Sequence, residues 1–577
     1  MVKEVLLVFK THLDIGYTDY AGKVVERYLN EFIPNAIKAA YALKDTDTPF
    51  IWSTGAWLIW EALKHDADGS VEKAIRDGLI SWHALPYTSH TEAMNKTLFE
   101  YGISLSEKLD ARFGKKTIGA KMTDVPGHTK GMVEILKAHG IEFLHIGVNE
   151  ATPVPPVPTL FRWKCGESEI NMMYGSGYGS GAVVGETAVE FGFTEDNCGP
   201  QDLDSICKQY AALREKYPGA TVRAATLDDV ALCMRTCTDL PVLENEIGDT
   251  WIHGIATDPK KLSLYRDLMR HVEKNGIGDK DITDNLLLVP EHTWGMCIAM
   301  HYPDFKNYLP ADFKKSEGSE MRLKVEKSWQ EQRDYIEKAQ AVLGTNYRYD
   351  VSLPDTEKMQ ETAVPALGFE ISWQLFDFYN YEWFKHVYCR IIPFSLPWFC
   401  QDFTKPGLPY DFHGGIYTAK PVKAWTDGDT TVVKFDFDKE IAAEQGLPQF
   451  YAILNGSNIE IQWHGMQANR MPNAYWLKFT GMQENWEIHK LGKWIAADEV
   501  IGSPLICGFE KGVRNADYEI LSLDAGLAAP FGRRLLDWEA SPQSQDMYFN
   551  LYNNIWNTNF PMWYSDDARF RFEIVKR

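Results

Sequence analysis

Through its first three hundred or so residues the chain alternates short apolar runs with helix-period stretches, and this alternation restricts its fold more than any other feature. The runs end near Phe9, Trp52, Ala84, Met122, Ile146, Ala225 and Leu243, with helical patterns between them, for example over 24–43 and 132–139. A buried strand followed by a helix, repeated, builds a mostly parallel sheet, because each strand needs a crossover to reach its neighbour. About seven such units suit a closed sheet, so the pattern predicts an α/β domain of (β/α)7-type barrel form over residues 1–305. The text then changes. Met321, Val325, Trp329, Ile336, Ala339 and Leu343 recur at three- and four-residue steps and predict a short helical-bundle segment over 306–350. Beyond 351, alternating segments such as 432–437, 459–463 and 476–479 are separated by Gly, Asn, Asp and Pro, which predicts an all-β sandwich over 351–577.

Composition narrows the function classes. A chain of 577 residues holds two or three domains. The formal net charge of −21 argues against a nucleic-acid partner, since phosphate backbones are met by Lys and Arg. The 13% of aromatic residues include 19 Trp, whose flat faces suit sugar rings, although most such side chains serve cores. The nine Cys are scattered with no knuckle spacing, and Cys233 and Cys237 read as small residues on a helix face. Free thiols and an opening segment too short and too acidic for a signal peptide lead to a cytoplasmic expectation, replaced by a periplasmic or secreted one if a leader has been removed. No apolar run approaches membrane-spanning length, so no membrane partner is expected, and a homo-oligomer stays open.

Chemistry gathers where apolar runs end. His12-Leu13-Asp14-Ile15-Gly16-Tyr17 follows the first run, Asp124-Val125-Pro126-Gly127-His128-Thr129 follows the run ending at Met122, and Pro290-Glu291-His292-Thr293-Trp294-Gly295 follows Leu286-Leu287-Leu288-Val289. Polar groups at the ends of buried strands place a site at one rim of an α/β domain. Residues two apart in extended chain point the same way, so His12 and Asp14 can reach one ion; a helix-capping Asp is the competing reading. Pro126 and Gly127 turn the chain sharply and present Asp124 at a strand tip, where an Asx-turn is the competing reading. His292 beside an apolar run is by itself a core histidine; the set of clusters gives it a role. Two His and two Asp from three distant stretches can close one zinc site. The acidic stretch 244–254 leads to Thr257-Asp258-Pro259, a helix start, so Glu246 and Asp249 fall on a strand-to-helix loop at the same rim. The run Gly175-Ser176-Gly177-Tyr178-Gly179-Ser180-Gly181 lacks nucleotide-loop spacing and reads as a flexible surface or substrate loop.

In order and spacing these clusters resemble the catalytic domain of the glycoside hydrolase family 38 α-mannosidases. The first motif of that family reads His-x-Asp-Pro-Gly-Trp, and the nucleophile motif reads Asp-Pro-Phe-Gly-His-Ser; His12–Tyr17 and Asp124–Thr129 resemble them, and His292 resembles the late histidine. Weaker likeness touches 78–92, 251–259, 557–563 and 567–572. The resemblance implies zinc (Zn2+) bound by His12, Asp14, Asp124 and His292, with Asp124 also the nucleophile and a second carboxyl as acid/base. Glu246 is the position most like the acid/base, although the family has Asp there, and Asp249 is the second choice. Tyr17 stands where the family has a platform Trp, Ile15 where it has Pro, and Asn149 where an Arg is expected; these departures touch sugar contacts more than metal ligands. His90, Glu92 and Trp294 complete the expected substrate contacts.

The expected activity is that of a zinc-dependent retaining exo-glycosidase acting on an α-glycoside or oligosaccharide, with α-mannosides first. A metal-dependent carbohydrate deacetylase and an inactive carbohydrate-binding homologue are the alternatives. A glycosyl adduct on Asp124 favours the first over the deacetylase, and the inactive homologue turns over no substrate and keeps its ligand affinity in Glu246→Gln and Asp249→Asn.

Overall fold

Strands form where the apolar runs end. In the computed structural model, which describes residues 1–278, 281–388, 397–502, 505–537 and 539–577, β1 (Glu4–His12), β2 (Trp52–Gly55), β3 (Ile80–His83), β4 (Gly119–Asp124) and β5 (Phe143–Val148) are buried almost throughout. They run parallel wherever they pair. Helices supply the crossovers. α1 (Ala21–Arg27) continues through a π-turn into α2 (Ile33–Leu43), α3 (Ala56–Lys64) and α4 (Ser70–Arg76) follow β2, α5 (Lys96–Phe113) precedes β4, and α6 (Gly131–Ala138) joins β4 to β5. Each buries one stripe: α6 turns Met132, Val133, Ile135 and Leu136 inward and leaves Lys137 outside.

After β5 the chain makes an excursion that the sequence pattern does not announce. β6 (Leu160–Cys165) and β7 (Ser168–Ser176) form an antiparallel pair, and β7 joins β5 in parallel. β8 (Ala182–Val184) and β9 (Thr187–Asp196) form a second pair, and β9 lies parallel to β1 along its whole length. α7 (Leu203–Lys216), β10 (Thr221–Ala224), α8 (Leu227–Met234) and β11 (Val242–Leu243) then return to the expected rhythm, with β10 on β1 and β11 on β6. The strands divide between two sheets, ordered β3-β2-β1-β9-β8 with β10 also on β1, and β11-β6-β7-β5-β4. Leu6, Val8, Phe143, Met173, Val189, Phe191 and Val230 share one apolar core. Cys237 lies past the end of α8, off the helix face expected for it.

The chain comprises two compact units. The first is Met1–Thr91, Lys96–Ile247 and Pro290–His292; the second is Glu92–Asn95, Gly248–Val289 and Thr293–Arg577. In the second unit α9 (Pro259–Asn275) starts as expected, with the Asp258 carboxylate accepting from the Lys261 N–H at 3.0 Å and Pro259 in the first turn. The helix Glu320–Leu343 buries Val325, Trp329, Ile336, Ala339 and Leu343 and packs against α9. Beyond it, among the described residues, the strands pair antiparallel in a ten-stranded sheet and a six-stranded sheet with Ala452, Ile461, Trp463, Trp476 and Phe549 inside, the β-sandwich expected beyond 351, and short helices lie between them. Among the described residues no helix is long and apolar enough to cross a membrane.

Candidate metal centre

The C-terminal ends of β1 and β4 bring the first two motifs together. β1 pairs with β9 in register up to Thr11, then slips by a bulge that sets His12 opposite Asp196. The His12 ring projects inward, where Nδ1 lies 2.6 Å from the Thr123 hydroxyl of β4 and Nε2 lies 3.0 Å from Asp14 Oδ1. Asp14 is held from behind, its backbone N–H donating to Asn197 Oδ1 at 3.1 Å. Asp124 ends β4 with a φ of 79°, a left-handed conformation that costs a non-glycine residue about 1–2 kcal/mol. The Asn149 N–H, bonded to the Asp124 carbonyl at 3.0 Å, holds it there.

His292 reaches the same place from far along the chain. Ser89 and Glu291 form an isolated antiparallel bridge, His90 N–H donates to the Pro290 carbonyl at 3.0 Å, and His292 N–H donates to the Thr88 carbonyl at 3.3 Å. The Thr88 hydroxyl in turn accepts from the Thr123 N–H at 3.1 Å, so one threonine links β4 to the arriving segment. His292 Nε2 then lies 3.0 Å from Asp14 Oδ1 and 3.1 Å from Asp124 Oδ2, and its Nδ1 lies 2.7 Å from Glu291 Oε1. One ligand atom from each of His12, Asp14, Asp124 and His292 falls within 4.8 Å of all the others, and all four residues are buried.

Electrostatics identify what this array can hold. Burial works against charge on each group, yet Asp14 stays below the usual carboxylate range because His12 and His292 face it, and Asp124 is lowered by His292 and His12. The imidazoles move the other way: Asp14 raises His12, and Glu291 with Asp124 and Asp14 raises His292 well above its ordinary value, both against burial. Asp196, with Oδ1 3.9 Å from His12 Nε2, is pushed up to about 8 by burial and by the neighbouring Asp14. Asp14 Oδ2 is buried with no hydrogen-bond partner among the described residues. Carboxylates crowded at one point, an orphaned oxygen and two imidazole nitrogens turned inward are a donor set that fits a divalent cation with N and O preference. The partners behind the ligands, Thr123 on His12 and Glu291 on His292, fix the ring orientations such a site needs.

Asp124 has a second face. Its Oδ1 accepts from the Tyr178 hydroxyl in a short bond and from Asn149 Nδ2 at 2.9 Å, and Asn149 Nδ2 also lies 3.2 Å from the Tyr178 oxygen. One oxygen of the carboxylate therefore faces the His292 side and the other is held by two donors. Tyr178 and Asp196 are the residues that the motifs miss. Tyr178 sits in the glycine-rich run read as a flexible surface or substrate loop; at Tyr178 the run is not surface, since Tyr178 is only 7% exposed and its ring packs 4.7 Å from His12. Its carbonyl is pinned by Lys121 Nζ at 2.7 Å, and the Ser180 carbonyl lies 2.7 Å from His145 Nε2.

The other expected residues are placed differently. Glu246 belongs to the first unit and is buried, its Oε2 accepting from Lys130 N–H at 2.7 Å and from the Thr129 hydroxyl at 3.3 Å at the start of α6. Tyr17 is half-buried in a turn with a φ of 59°. His90 is wholly buried. In the second unit, Asp249 accepts from the Trp251 N–H at 2.8 Å and lines a pocket with Thr250, His253, Tyr388, Arg534 and Trp556. Glu92 pairs with Lys490 at 3.0 Å and accepts from Gly508 N–H at 2.7 Å, and is 1% exposed. Trp294 is also 1% exposed, with its Nε1 donating to the Val289 carbonyl and the Lys261 ammonium 3.7 Å from its ring centre. Glu92 is thus held by an ion pair and Trp294 by its ring contacts within the second unit, and His90 lies buried in the first.

Known proteins resemble the chain in fold. An α-mannosidase from Enterococcus faecalis V583 aligns with a TM-score of 0.57 at 8% identity, covering 100% of this chain and 87% of that one. A protein in the glycosyl hydrolase family 38 from Enterococcus faecalis aligns with a TM-score of 0.56 at 8% identity, covering 100% and 86%. Residues 255–367 match a family described as a domain of unknown function, DUF5054. No curated protein matches by sequence.

Proposed function

We propose that the chain is a metal-dependent retaining α-glycosidase of the glycoside hydrolase family 38 type, with zinc as its ion and α-mannosides as its first substrate class. The observation that carries this reading is the meeting of His12, Asp14, Asp124 and His292 from three separate stretches, their ligand atoms within 4.8 Å. The fold of the two Enterococcus faecalis proteins, one described as an α-mannosidase and the other as a family 38 protein, supports it.

His12, Asp14, Asp124 and His292 would hold the ion, and zinc there would supply a cationic template for two neighbouring sugar hydroxyls. Asp124 is our nucleophile: the bonds from Tyr178 and Asn149 to its Oδ1, and the lowering of its pKa by His292 and His12, support a carboxylate held for attack on an anomeric carbon. The C–O bond to the leaving group breaks as the aspartyl ester forms, and a carboxylic acid gives its proton to the departing oxygen. The same carboxylate then takes a proton from the water that cleaves the ester, with retained configuration. Glu246 is the first choice for that acid/base role: it lies in the first unit with Asp124, buried at the start of α6.

The test is a zinc assay joined to a panel of aryl α-glycosides and a slow fluorinated glycoside. About one zinc per chain, turnover of an α-mannoside and a glycosyl adduct on Asp124 are expected. Acetate released from acetylated sugars with no adduct transfers the site to a deacetylase, and metal-free protein with full turnover removes the reading altogether.

A further inference from the structure

Asp196 stands beside the metal centre without a ligand's place in it. β9 follows β1 in register as far as Thr194 opposite Thr11, and the bulge then sets Asp196, not Glu195, opposite His12. The extra residue, Glu195, is exposed. Bulges re-aim side chains next to active sites, and this one brings a carboxylate to the end of β1 where the ligands gather. The strand end is fixed there by its neighbour. Asn197 N–H donates to the His12 carbonyl at 3.2 Å, and Asn197 Nδ2 donates to the Gly16 carbonyl at 3.3 Å and to the Thr18 hydroxyl at 3.0 Å. Asn197 takes a φ of 51° in doing so, a conformation that asparagine adopts more readily than most residues.

The carboxylate is close to the ligands, unpartnered and open to solvent on one side. The ligand atoms that lie within 4.8 Å of one another belong to His12, Asp14, Asp124 and His292, and Asp196 is outside that set. Its Oδ1 is nonetheless buried, 3.9 Å from His12 Nε2, and has no hydrogen-bond partner among the described residues. Its side chain is 32% exposed, against 10% for Asp124, 3% for Asp14 and 1% or less for the two histidines. The open side of the group is therefore the Asp196 side, and a molecule coming to the ligands meets this carboxylate. A buried oxygen without a partner costs free energy until a donor reaches it, and a sugar ring brings hydroxyl donors.

We propose that Asp196 is a specificity-determining contact, its carboxylate accepting a hydrogen bond from one ring hydroxyl of the sugar bound at the centre. The assignment rests on the glycosidase reading and adds to it a demand that the four ligands do not make. A site built to bond a hydroxyl rejects the sugar that lacks it, because the acceptor is then left buried and unpaired. Asp196 attacks nothing and carries no proton in the reaction, so its loss is expected in affinity and KM more than in kcat.

Binding of an aryl α-thiomannoside, which resists cleavage, and of its singly deoxygenated forms is measured by calorimetry on zinc-loaded protein, beside zinc content by elemental analysis and the KM and kcat of the matching cleavable glycosides. Asp196→Ala is expected to weaken binding of the full sugar about 10–100-fold with zinc content unchanged. One deoxy sugar is expected to bind the unaltered protein about as weakly as the full sugar binds the variant, and to lose nothing further in the variant. Asp196→Asn keeps the shape and one acceptor and is expected to lose less; should the alanine protein fail to fold, the same coupling to one hydroxyl in Asp196→Asn decides. Unaltered affinity in Asp196→Ala, or losses that add for every deoxy sugar, overturn the assignment and leave the glycosidase reading standing. A fall in zinc content in Asp196→Ala overturns it too, because the residue is then a ligand. An unaltered protein that takes up no zinc and binds none of these sugars removes the glycosidase reading, and the assignment with it.

Discussion

Thr123 is where the first and second ligand stretches touch, its hydroxyl 2.6 Å from His12 Nδ1 and its N–H on the Thr88 hydroxyl. Removing the hydroxyl frees the His12 ring to rotate and leaves Nδ1 without that partner. Thr123→Val is therefore expected to weaken metal retention by about 10–100-fold, with Thr123→Ser restoring it, read by competition with a chromogenic chelator. Asp124→Asn keeps the shape and the bonds from Tyr178 and Asn149 but removes the charge that would attack. Turnover is expected to fall at least about 1,000-fold while the circular dichroism spectrum is kept; an active variant would take the nucleophile role from Asp124. At this scale the sequence is readable where side-chain chemistry and position coincide. His12, Asp14, Asp124 and His292 each follow directly on an apolar run, and each arrives at the centre. Tyr178 is hidden by its own neighbours, since glycines convey freedom while the bonds from Lys121 and His145 that remove it come from other strands. Glu92 and Trp294 stand next to site residues in the chain yet belong to the second unit, because the backbone changes unit immediately after Thr91 and His292.

Among elements, the β6–β9 excursion, which brings Tyr178 and Asp196 to the site, was least legible. Its strands alternate buried and half-buried positions and contain hairpin turns, which is weaker text than the continuous apolar runs of β1, β4 and β5. Its seating depends on a close backbone approach: a Cβ at Gly147 of β5 would stand 2.6 Å from the Gly177 carbonyl and 2.8 Å from Tyr178 Cα. Gly147→Ala is expected to cost about 1–3 kcal/mol in denaturant titration and to lower kcat more than zinc content, because the displaced group is Tyr178 and not a ligand. A second element carries a pH signature. The α8 carboxylate Asp228 accepts from the Ile118 and Gly119 N–H groups at 2.8 and 2.9 Å, and burial pushes it up to about 6 from an ordinary 3.8. Between those values the folded chain holds a proton that the unfolded chain has lost, so this group's contribution to stability falls as pH rises from about 4 to 6. Asp228→Asn, whose carbonyl keeps both bonds, is expected to flatten that decline in melts taken across the window.

For the molecule as a whole, the change of pattern near 350 was legible because period-two alternation and turn residues replace helical spacing, and the sandwich sheets lie beyond it. The way the α/β strands share out into two sheets was not, since pairing is decided by partners far off in the chain. Removing the metal should register globally. Stripping with a strong chelator leaves Asp14, Asp124 and Asp196 facing one another with no cation. The thermal midpoint is expected to drop by several degrees and to return when zinc is added back, the size set by metal concentration relative to its dissociation constant. The tripeptide Pro290–His292, part of the first unit although the chain on both sides of it belongs to the second, has a consequence for biosynthesis. A nascent chain that has emitted all of β1 to β11 still lacks its last ligand, so the ribosome must deliver more than forty further residues (from Ile247 to His292) before the centre can be charged, and fragments ending earlier should leave translation unable to retain metal.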